Sequence, residues 1–544
     1  MSRPSLGCLL RTVRTLRPEQ ILGQLRRPRP GHVPPRSARG APPRWVLGPI
    51  PAPFLPPAEH VAGSRSGRVR LLAREARFPE RIDWDFGAEG PLWSYHLHQM
   101  EWLRDEGIGP DERQGVLLDW VARHRRGIGW DGGPISLRAF QWLKLLATPG
   151  ALPEAADARN TLLASWADQL ATLAAHRERH LLGNHYLWNL LALVLGGLVL
   201  EGGESDGWLA WEPDLLRELE AQVLADGLHE ERSPMYHALL LENVLDLVNV
   251  AGATSRAASP AFEPVLRETA ARMLGALEVL THPDGAIALV SDSALGIAPP
   301  PSALRDYARA LGVEPLPTRR PGVLDAGGYV RLDAGPFSLL ASVAGPSPRH
   351  QPGHAHCDAL SFELCLGGAR VVSDTGVYEY VPGARRDASR ATRSHATLEV
   401  DGHDQAELWA AHRVGGRPRV SLLEVVPGRA AEAECRGWAT PQVRHRRRFE
   451  VRDREVVLRD TVEGPDAALR LSLPLAPEVA CRLDGGRASL RLPDGAPLRV
   501  ELPAARWRCE RTPCFPSFGV ERERTTLVGE ARSPADLLWS FRAP

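Results

Sequence analysis

The sequence predicts an α+β multidomain protein in which a helical domain precedes an antiparallel β-sandwich. From about residue 84 to about residue 311, apolar residues recur at three- and four-residue spacing, which is typical of amphipathic helices. After Pro315-Leu316-Pro317 the pattern changes to short alternating segments separated by turns such as Asp401-Gly402, which indicates antiparallel strands. The chain has 544 residues, enough for two or three domains.

Three segments are expected along the chain. Residues 1–80 begin with a basic amphipathic helix within residues 1–25, and a Pro-, Arg- and Gly-rich stretch follows that is either wrapped around the rest or disordered. The helix is interpreted as packing on the main body, with contact to a membrane surface or a partner as the alternative. Residues 81–315 then form the helical domain, and residues 320–544 form the sandwich.

Hydrophobic periodicity predicts the individual elements. Helices are predicted at 95–105, 113–125, 135–147, 154–178, 185–200, 213–224, 234–251 and 261–280. Asn184 is interpreted as an N-cap, and the short connections predict α/α hairpins. Strands are predicted at 328–332, 337–343, 360–366, 369–373, 397–400, 419–426, 443–451, 455–462, 469–473 and 489–492.

Composition and charge argue against several classes of protein. Because the formal net charge is zero, no overall field would recruit nucleic acid, and none is expected as a partner. The seven cysteines include no Cys-x-x-Cys pair, so they predict neither a disulfide framework nor a thiolate zinc site. No signal peptide is recognisable before Arg11, and the longest apolar run, 187–200, is too short to span a bilayer.

The segment His354-Ala355-His356 is the first candidate for chemistry. On a strand, His354 and His356 would point to the same face, and a hairpin through residues 369–372 would bring Asp374 beside them. Two imidazoles and a carboxylate suit zinc, and His395 is a possible third imidazole. The alternative is that these histidines are exposed or simply hydrogen-bonded.

Two segments of the helical domain are further candidates. Gly183-Asn184-His185 opens a strongly apolar helix, where Asn184 either caps the helix or joins His185 in binding a carboxylate at the positive end of the helix dipole. The segment from Glu231 to His237 is a loop-to-helix junction, in which Tyr236 could be an amphipathic rim residue. Neither segment alone decides the function.

Taken together and in order, these segments resemble the heparinase II/III family of polysaccharide lyases. The resembling stretches are residues 183–185, 231–237, 354–362, 374–380 and 393–402, with 92–98 and 136–138 upstream. The resemblance spans residues 80 to 410 approximately. It implies an incomplete α/α toroid followed by an antiparallel β-sandwich, which agrees with the pattern above.

The resemblance implies β-elimination at a uronic acid, and therefore an acidic polysaccharide as substrate and no organic cofactor. Carried over to this chain, Asn184 and His185 would bind and neutralise the substrate carboxylate. Tyr236 would be the general base, the general acid or both, and His354 the partner base on the opposite face. A tyrosine base needs neighbouring cations that lower its pKa.

The resemblance also implies a structural zinc ion held by His356, Asp374 and His395, although the site could equally lack a metal. Arg138 and Tyr380 would line the substrate cleft. The chain departs from the family pattern at two positions. Trp188 stands where some members have a glutamate, which argues against a glutamate-assisted subtype, and Cys357 stands where a small alanine is usual, beside a proposed ligand.

The lyase interpretation has two alternatives. One is a non-catalytic glycan-binding protein that serves envelope polysaccharide assembly, and the other is a metal-dependent hydrolase, which would release saturated products. The resemblance implies a place in the cell envelope or periplasm, whereas the lack of a recognisable signal peptide favours the cytoplasm. The sequence leaves the sugar, the choice between endo and exo action, and the oligomeric state open.

Overall fold

The computed structural model describes residues 4–65, 67–256 and 259–543. The α-helices of this part of the chain are α1 Leu6–Val13, α2 Pro18–Arg26, α3 Pro91–Gln99, α4 Pro110–Arg123, α5 Gly132–Ala147, α6 Ala156–Ala175, α7 Gly183–Val199, α8 Glu212–Gln222, α9 Pro234–Ala251, α10 Phe262–Leu280, α11 Pro301–Ala310 and α12 Ala384–Arg390.

The strands fall mostly after residue 320. They are β1 Arg44–Trp45, β2 Arg68–Leu71, β3 Arg74–Arg77, β4 Leu200–Glu201, β5 Val323–Leu324, β6 Tyr329–Ala334, β7 Phe337–Ser342, β8 Phe362–Leu366, β9 Ala369–Val372, β10 Leu398–Val400, β11 Leu408–Trp409, β12 Arg413–Val414, β13 Arg419–Val426, β14 Ala430–Arg436, β15 Arg444–Arg452, β16 Glu455–Glu463, β17 Ala468–Pro474, β18 Ala480–Asp484, β19 Arg487–Arg491, β20 Pro497–Glu501, β21 Arg506–Ser517, β22 Val520–Arg532 and β23 Ala535–Arg542.

Helices α3 to α11 pack in an alternating order. Helix α5 contacts α3 and α7, and α9 contacts α7 and α11, whereas α4 packs on α6 and α8 packs on α10. The odd-numbered helices therefore form one layer and the even-numbered helices the other. An α/α toroid requires this arrangement, because each successive hairpin adds one helix to each layer. Large aromatic side chains with almost no exposure fill the domain, namely Trp93, Trp120, Trp142 and Trp166.

The strands after residue 320 form two facing layers of antiparallel sheet. One layer is an eight-stranded sheet in the order β13-β14-β15-β16-β23-β20-β19-β18, and the other consists of the sheets β5-β6-β7-β8-β9 and β10-β17-β22-β21. Phe362 on β8 packs edge-on against Phe449 and Phe541 of the eight-stranded sheet, and Trp507 on β21 packs against Trp539. The α+β architecture predicted from the sequence is therefore confirmed.

Several element predictions need correction. Helix α9 and strand β13 have the predicted limits, but α11 and strands β14, β18 and β20 to β23 were not predicted. Strand β22 shows why, because it opens with Val520-Glu521-Arg522-Glu523-Arg524, and its inward-facing Arg524 is almost fully buried. A buried arginine interrupts the alternation of apolar and polar residues from which a strand is predicted.

The histidine segment is also not a strand. Residues 343–361 form a loop between β7 and β8, so the expectation that strand alternation aligns His354 and His356 was wrong. The hairpin of β8 and β9 does exist, with Leu364 opposite Val372, and Asp374 follows directly after it. The two histidines nevertheless share a partner, because the carboxylate of Asp292 accepts a hydrogen bond from each.

The Pro- and Arg-rich segment wraps around the helical domain. Strand β1 pairs with β4, the backbone N–H of Gly31 donates to Asp131, and the side chain of Asn249 bonds both the N–H and the carbonyl of Ala52. These contacts hold the segment in an extended form against the helical domain. Among the described residues, no helix is both long and apolar enough to cross a membrane.

Candidate active site between the two domains

The first site residues lie at the start of α7. Leu182 and Gly183 have left-handed backbone angles (φ of 59° and 56°), and a Cβ on Gly183 would come within 2.8 Å of Glu231 Oε1. Glycine is therefore needed here for two reasons, backbone angle and close approach. The capping position is occupied by Leu182, so the prediction that Asn184 is the N-cap was wrong.

Asn184 is instead the second residue of the helix, and its side-chain oxygen is available to bind a ligand. Its backbone N–H donates to Glu231 Oε1 at 3.4 Å, while its side-chain oxygen is buried and has no hydrogen-bond partner in the described chain. Such an unsatisfied buried group is uncommon in folded proteins and calls for a functional explanation.

His185 is the one residue of α7 that is not buried. Its side chain is 31% exposed, and its Nδ1 lies 3.3 Å from Glu178 Oε1. Burial opposes the charged imidazole, but the neighbouring Glu178 carboxylate outweighs it and raises the pKa of His185. The first turn of α7 thus presents to the cleft an imidazole whose charged form is favoured by Glu178.

Tyr236 lies on the first turn of α9, which Ser233 caps by accepting a hydrogen bond from the Tyr236 N–H at 3.2 Å. The phenolic oxygens of Tyr236 and Tyr380 are 3.0 Å apart. Burial raises the pKa of Tyr236 above its ordinary value, and the charge of Arg386 offsets this only in part. Tyr236 is therefore a neutral phenol, and the lowered pKa that a tyrosine base requires is not present.

The ring of His354 stacks against that of Tyr236, with centroids 4.2 Å apart and planes inclined by 33°. A sugar cannot fit between two rings in contact, so the expectation that these residues flank the substrate from opposite faces was wrong. His354 Nδ1 bonds Asp292 Oδ2 at 2.8 Å, and His354 Nε2 is 3.8 Å from Glu231 Oε2. Glu231 thereby connects the start of α7 with His354.

Asp292 is the buried hub beneath these side chains. Its carboxylate accepts hydrogen bonds from His354, from His356 Nε2 at 2.9 Å, and from both terminal nitrogens of Arg386. Burial acts against the charge, but Arg386 and the two histidines hold the pKa of Asp292 well below its usual range. The hub is therefore ionised across the physiological pH range.

His356, Asp374 and His395 form a second buried group next to this hub. Each offers a ligand atom, and these atoms lie within 4.8 Å of one another. His356 uses Nε2 to bond Asp292, and His395 uses Nδ1 to bond Asp374 at 3.0 Å, which leaves His356 Nδ1 and His395 Nε2 buried without partners among the described residues. Two unpartnered imidazole nitrogens beside a carboxylate fit the nitrogen and oxygen ligands that zinc takes.

Glu363 holds Asp374 in place and joins the two domains. It accepts hydrogen bonds from His282 Nε2 at 3.0 Å, from the Leu289 N–H at 2.9 Å and from the Asp374 N–H at 2.9 Å. Although burial opposes its charge, these donors lower the pKa of Glu363 to about 2. A residue of strand β8 thus fixes the turn that carries a candidate metal ligand.

Arg138 does not belong to the site, so its prediction as a cleft residue was wrong. Its side chain has no exposed surface and donates to Gln169 Oε1 and to the carbonyls of His98 and Gly129. It also lies over the ring of Trp120, 4.3 Å from the centroid. Because the side chain is fully buried and its three hydrogen bonds all end inside the helical domain, Arg138 cannot reach a ligand in the cleft.

Several residues of the site, Glu178 and Glu363 among them, were not assigned a role from the sequence. Glu231 lies in the family-like segment 231–237 but was given no role there, and no sequence pattern pointed to Asp292, Arg386 or His412. His412 stacks edge-on beside Tyr380, with ring centroids 5.2 Å apart. Asp292 is separated from His354 by 62 residues and from Arg386 by 94, and no local pattern signals a contact over such distances.

The geometry can support acid–base chemistry beside a carboxylate-binding corner. Ionised Asp292 can only accept, so His354 donates to it from Nδ1, and Nε2 is the nitrogen that can act as a base. The neutral phenol of Tyr236 lies against that ring as a proton donor. Asn184 and cationic His185, which Glu231 links to the same cluster, can bind a negatively charged group.

Comparison with known proteins identifies the family. A model described as "Heparinase II/III N-terminus" matches residues 155–310, and one described as "Heparinase II/III-like, C-terminal" matches residues 316–540. Together they cover more than half of the chain, and they join the helical domain to the sandwich in the order seen in the structure.

Curated relatives and a solved structure agree with this result. The chain is similar to FtsZ-localized protein C of Caulobacter vibrioides (25% identity over 327 residues, 58% of this chain and 54% of that protein). It is also similar to heparin-sulfate lyase of Pedobacter heparinus (25% over 265 residues, 44% of this chain and 39% of that protein), so the matches span about half or less of these relatives. The crystal structure of heparinase III shares the fold, with a TM-score of 0.66 and 17% identity over 86% of this chain and 80% of that chain. The chain belongs to the heparinase II/III-like family.

Proposed function

We propose that this protein is a lyase that cleaves a uronate-containing polysaccharide by β-elimination. The observation that carries the proposal is the contact between the neutral phenol of Tyr236 and the ring of His354. Asp292 bonds Nδ1 of His354 and so leaves its other ring nitrogen, Nε2, for a substrate. Asn184 and His185, whose charged form is favoured, lie beside this pair. Binding alone needs no base next to an acid. Membership of a family in which a relative is a heparin-sulfate lyase supports the same conclusion.

The reaction begins with neutralisation of the substrate carboxylate. The proton at C5 of a uronate is poorly acidic because the adjacent carboxylate is already negative, and the charge that develops on its removal spreads onto that carboxylate. Asn184 and cationic His185 would bind it, and each preorganised donor at such a position is typically worth roughly 3–4 kcal/mol. Glu178 supports this role because its charge favours the protonated form of His185 and raises its pKa.

Proton removal and leaving-group protonation then fall to the stacked pair. His354 Nε2 would take the C5 proton, the C4–O bond would break as the C4=C5 double bond forms, and Tyr236 would give its proton to the departing oxygen. His354 would then release the C5 proton to solvent and the phenolate would recover one from solvent, with Tyr380 at 3.0 Å as its hydrogen-bond partner. His356 is kept from competing for the substrate because it is fully buried.

The stacked arrangement favours one stereochemistry. Because base and acid lie side by side, they reach hydrogen and leaving oxygen most easily on the same face of the sugar ring. In a gluco-configured uronate, the C5 hydrogen and the C4 oxygen share a face, whereas in an ido-configured uronate they do not. We therefore expect a 4-linked gluco-configured uronate at the cleavage site.

A structural zinc ion is part of the proposal. His356, Asp374 and His395 would hold it, and its charge would tie the loop before β8 to the turn after β9. It would take no part in the proton transfers, because the residues that would hold it are buried behind Asp292.

Glycan binding without turnover is the second candidate function. Burial raises the pKa values of both Tyr236 and Tyr380, which favours neutral hydroxyl groups that bind sugar. The deciding experiment measures ultraviolet absorbance of the conjugated product with gluco- and ido-configured uronate polysaccharides. A rising signal on the gluco-configured substrate that is lost in Tyr236→Phe supports the lyase. Binding of the same substrates by both proteins, with no absorbance change, would support the second candidate.

A further inference from the structure

The two helices α1 and α2 carry an unusual surface. Of the thirteen large apolar side chains that are exposed in the described residues, seven lie in these helices. The most exposed are Leu25 (81%), Leu6 (74%) and Leu22 (55%), and the others are Leu9, Leu10, Val13 and Ile21. We call these seven side chains the apolar face. Exposed apolar residues that cluster in this way mark an interaction site, whereas scattered ones do not.

Each helix packs on the protein through its other side. Arg11 forms a two-fold ion pair with Glu407, and the indole of Trp409 donates to Thr12 at 3.0 Å. In α2, Gln20 is buried and its side chain donates to the carbonyls of Leu181 and His350. The helices are therefore fixed to the main body through these contacts, whereas most of their large apolar side chains are exposed.

The spacing within each helix explains this orientation. In α1 the apolar residues Leu6, Leu9, Leu10 and Val13 recur at intervals of three and four, so they form one stripe, while Cys8 and Thr12 face inward. In α2, Ile21, Leu22 and Leu25 follow the same rule around buried Gln20. Leu9 and Val13 also line a groove beside Leu181 and Trp409, whereas Leu6, Leu22 and Leu25 are the most exposed members of the two stripes.

The charge around this face selects its partner. Residues 4–58 contain nine arginines and a single acid, Glu19, in a chain whose net charge is zero. Three of these arginines pair with Glu407, Glu204 and Glu201. The five next to the apolar face are exposed and form no ion pair with any described residue: Arg14, Arg17, Arg26, Arg27 and Arg29.

We propose that α1 and α2 dock this protein on the surface of an anionic phospholipid bilayer. The apolar face would enter the boundary between head groups and acyl chains, and the five exposed arginines would contact lipid phosphates at its edge. A protein partner of matching shape would require acidic residues around an apolar groove, whereas a bilayer offers both features continuously. This docking does not depend on the proposed catalytic function.

Docking would also orient the cleft. Gln20 of α2 bonds the carbonyls of Leu181 and His350, which lie three and four residues before Asn184 and His354. The docked helices therefore lie directly against the two segments that lead into the site, and the mouth of the cleft would be held close to the lipid surface. A polysaccharide that is attached to or lies along the bilayer would reach the site most easily.

Vesicle sedimentation with the full-length protein tests the docking. We expect the wild-type protein to pellet with vesicles of phosphatidylglycerol and phosphatidylcholine but not with phosphatidylcholine alone, and high salt to weaken the binding. The variant Leu10→Gln/Leu22→Gln/Leu25→Gln should bind about tenfold more weakly or less. Leu538→Gln, which changes a residue of the sandwich that is 57% exposed, is the matched control and should bind like wild type.

Two further measurements keep the test decisive. Thermal unfolding should be the same in the triple variant and in Leu538→Gln, because all four side chains are exposed. Arg14→Gln/Arg17→Gln/Arg27→Gln should lose the dependence on phosphatidylglycerol. Equal pelleting of wild type and triple variant would overturn the proposal. A second outcome would also overturn it. If the wild-type protein does not bind vesicles but forms a dimer in solution, and the triple variant is a monomer, then a second copy of the chain covers the apolar face.

Discussion

His354 Nδ1 lies 2.8 Å from Asp292 Oδ2, and this bond decides which nitrogen of the imidazole faces the cleft. Because Arg386 and the two histidines hold the pKa of Asp292 well below its usual range, the carboxylate is ionised and can only accept. The histidine must therefore donate from Nδ1, and Nε2 is the nitrogen that remains for proton abstraction.

Asp292→Asn should abolish this arrangement. The amide group can donate to Nδ1 and move the imidazole proton to Nε2, so we predict that turnover slows by roughly two to four orders of magnitude. The buried charge of Arg386 also loses its partner, so the variant should unfold at lower temperature. Asp284→Asn, which breaks the more exposed pair with Arg370, is the control and should keep its turnover rate. Undiminished turnover in Asp292→Asn would contradict the role of the hub.

The two tyrosines should have unequal effects. Tyr236→Phe removes the proton donor, and we predict that turnover slows at least about a hundredfold, whereas Tyr380→Phe removes only its hydrogen-bond partner and should slow turnover about tenfold. Burial raises the pKa of Tyr236, so this phenol stays protonated at pH values below the ordinary pKa of tyrosine. We therefore expect no increase in rate with pH over that range. A pH–rate profile of wild type against Tyr380→Phe checks this, and an alkaline increase in rate would indicate that Tyr236 acts as a base.

Substrate affinity should depend on pH through His185. Its pKa is raised by Glu178, so the cationic form that is proposed to bind the substrate carboxylate is complete below the ordinary histidine value and is lost as the pH rises through the raised pKa. We predict that KM rises over that interval. Glu178→Gln should move the rise in KM to lower pH with a smaller change in kcat, and an identical KM profile in both proteins would contradict the pairing.

Glu363 should contribute to stability in a defined pH interval. Its pKa is lowered to about 2 in the folded protein, so its contribution is complete above the ordinary value near 4.5 and is lost as the pH falls towards 2. For a fully buried group a shift of this size corresponds to about 3 kcal/mol. We predict that Glu363→Gln lowers the free energy of unfolding by about this amount at neutral pH and that the difference from wild type shrinks below pH 4. Urea denaturation at several pH values measures it.

The zinc proposal predicts metal content. Purified wild-type protein should contain about one zinc ion per chain by elemental analysis, while His356→Ala and His395→Ala should contain little. Chelation should lower the melting temperature of the wild type more than that of either variant. His445→Ala, which removes a buried histidine bonded to Asp460 elsewhere in the sandwich, should keep its zinc. Equal zinc content in all four proteins would exclude this site.

The sequence predicted the fold class and the cluster around the cleft, for different physical reasons. Hydrophobic periodicity is local, so it revealed helices such as α9 directly. The grouping of Asn184, Tyr236 and His354 came from their order in a family pattern. The position of Glu231 between α7 and His354 could not be predicted from the sequence, because this contact depends on how the two domains pack.

Other features could not be predicted because they depend on burial. Arg138 lay in a family-like segment, yet carbonyl groups and Gln169 inside the helical domain satisfy its guanidinium. The leucines of α1 and α2 showed the periodicity of a packed helix, but periodicity does not tell which face the protein covers. Here the polar side chains Thr12 and Gln20 make the buried contacts.

The most direct test of the account is the mass of the products formed in ¹⁸O-labelled water from a defined gluco-configured uronate oligosaccharide. Elimination breaks the glycosidic bond without adding water, so the account predicts two fragments whose masses add up to that of the substrate, with no ¹⁸O in either. Fragments that together gain one water and carry ¹⁸O would show hydrolysis and contradict the account.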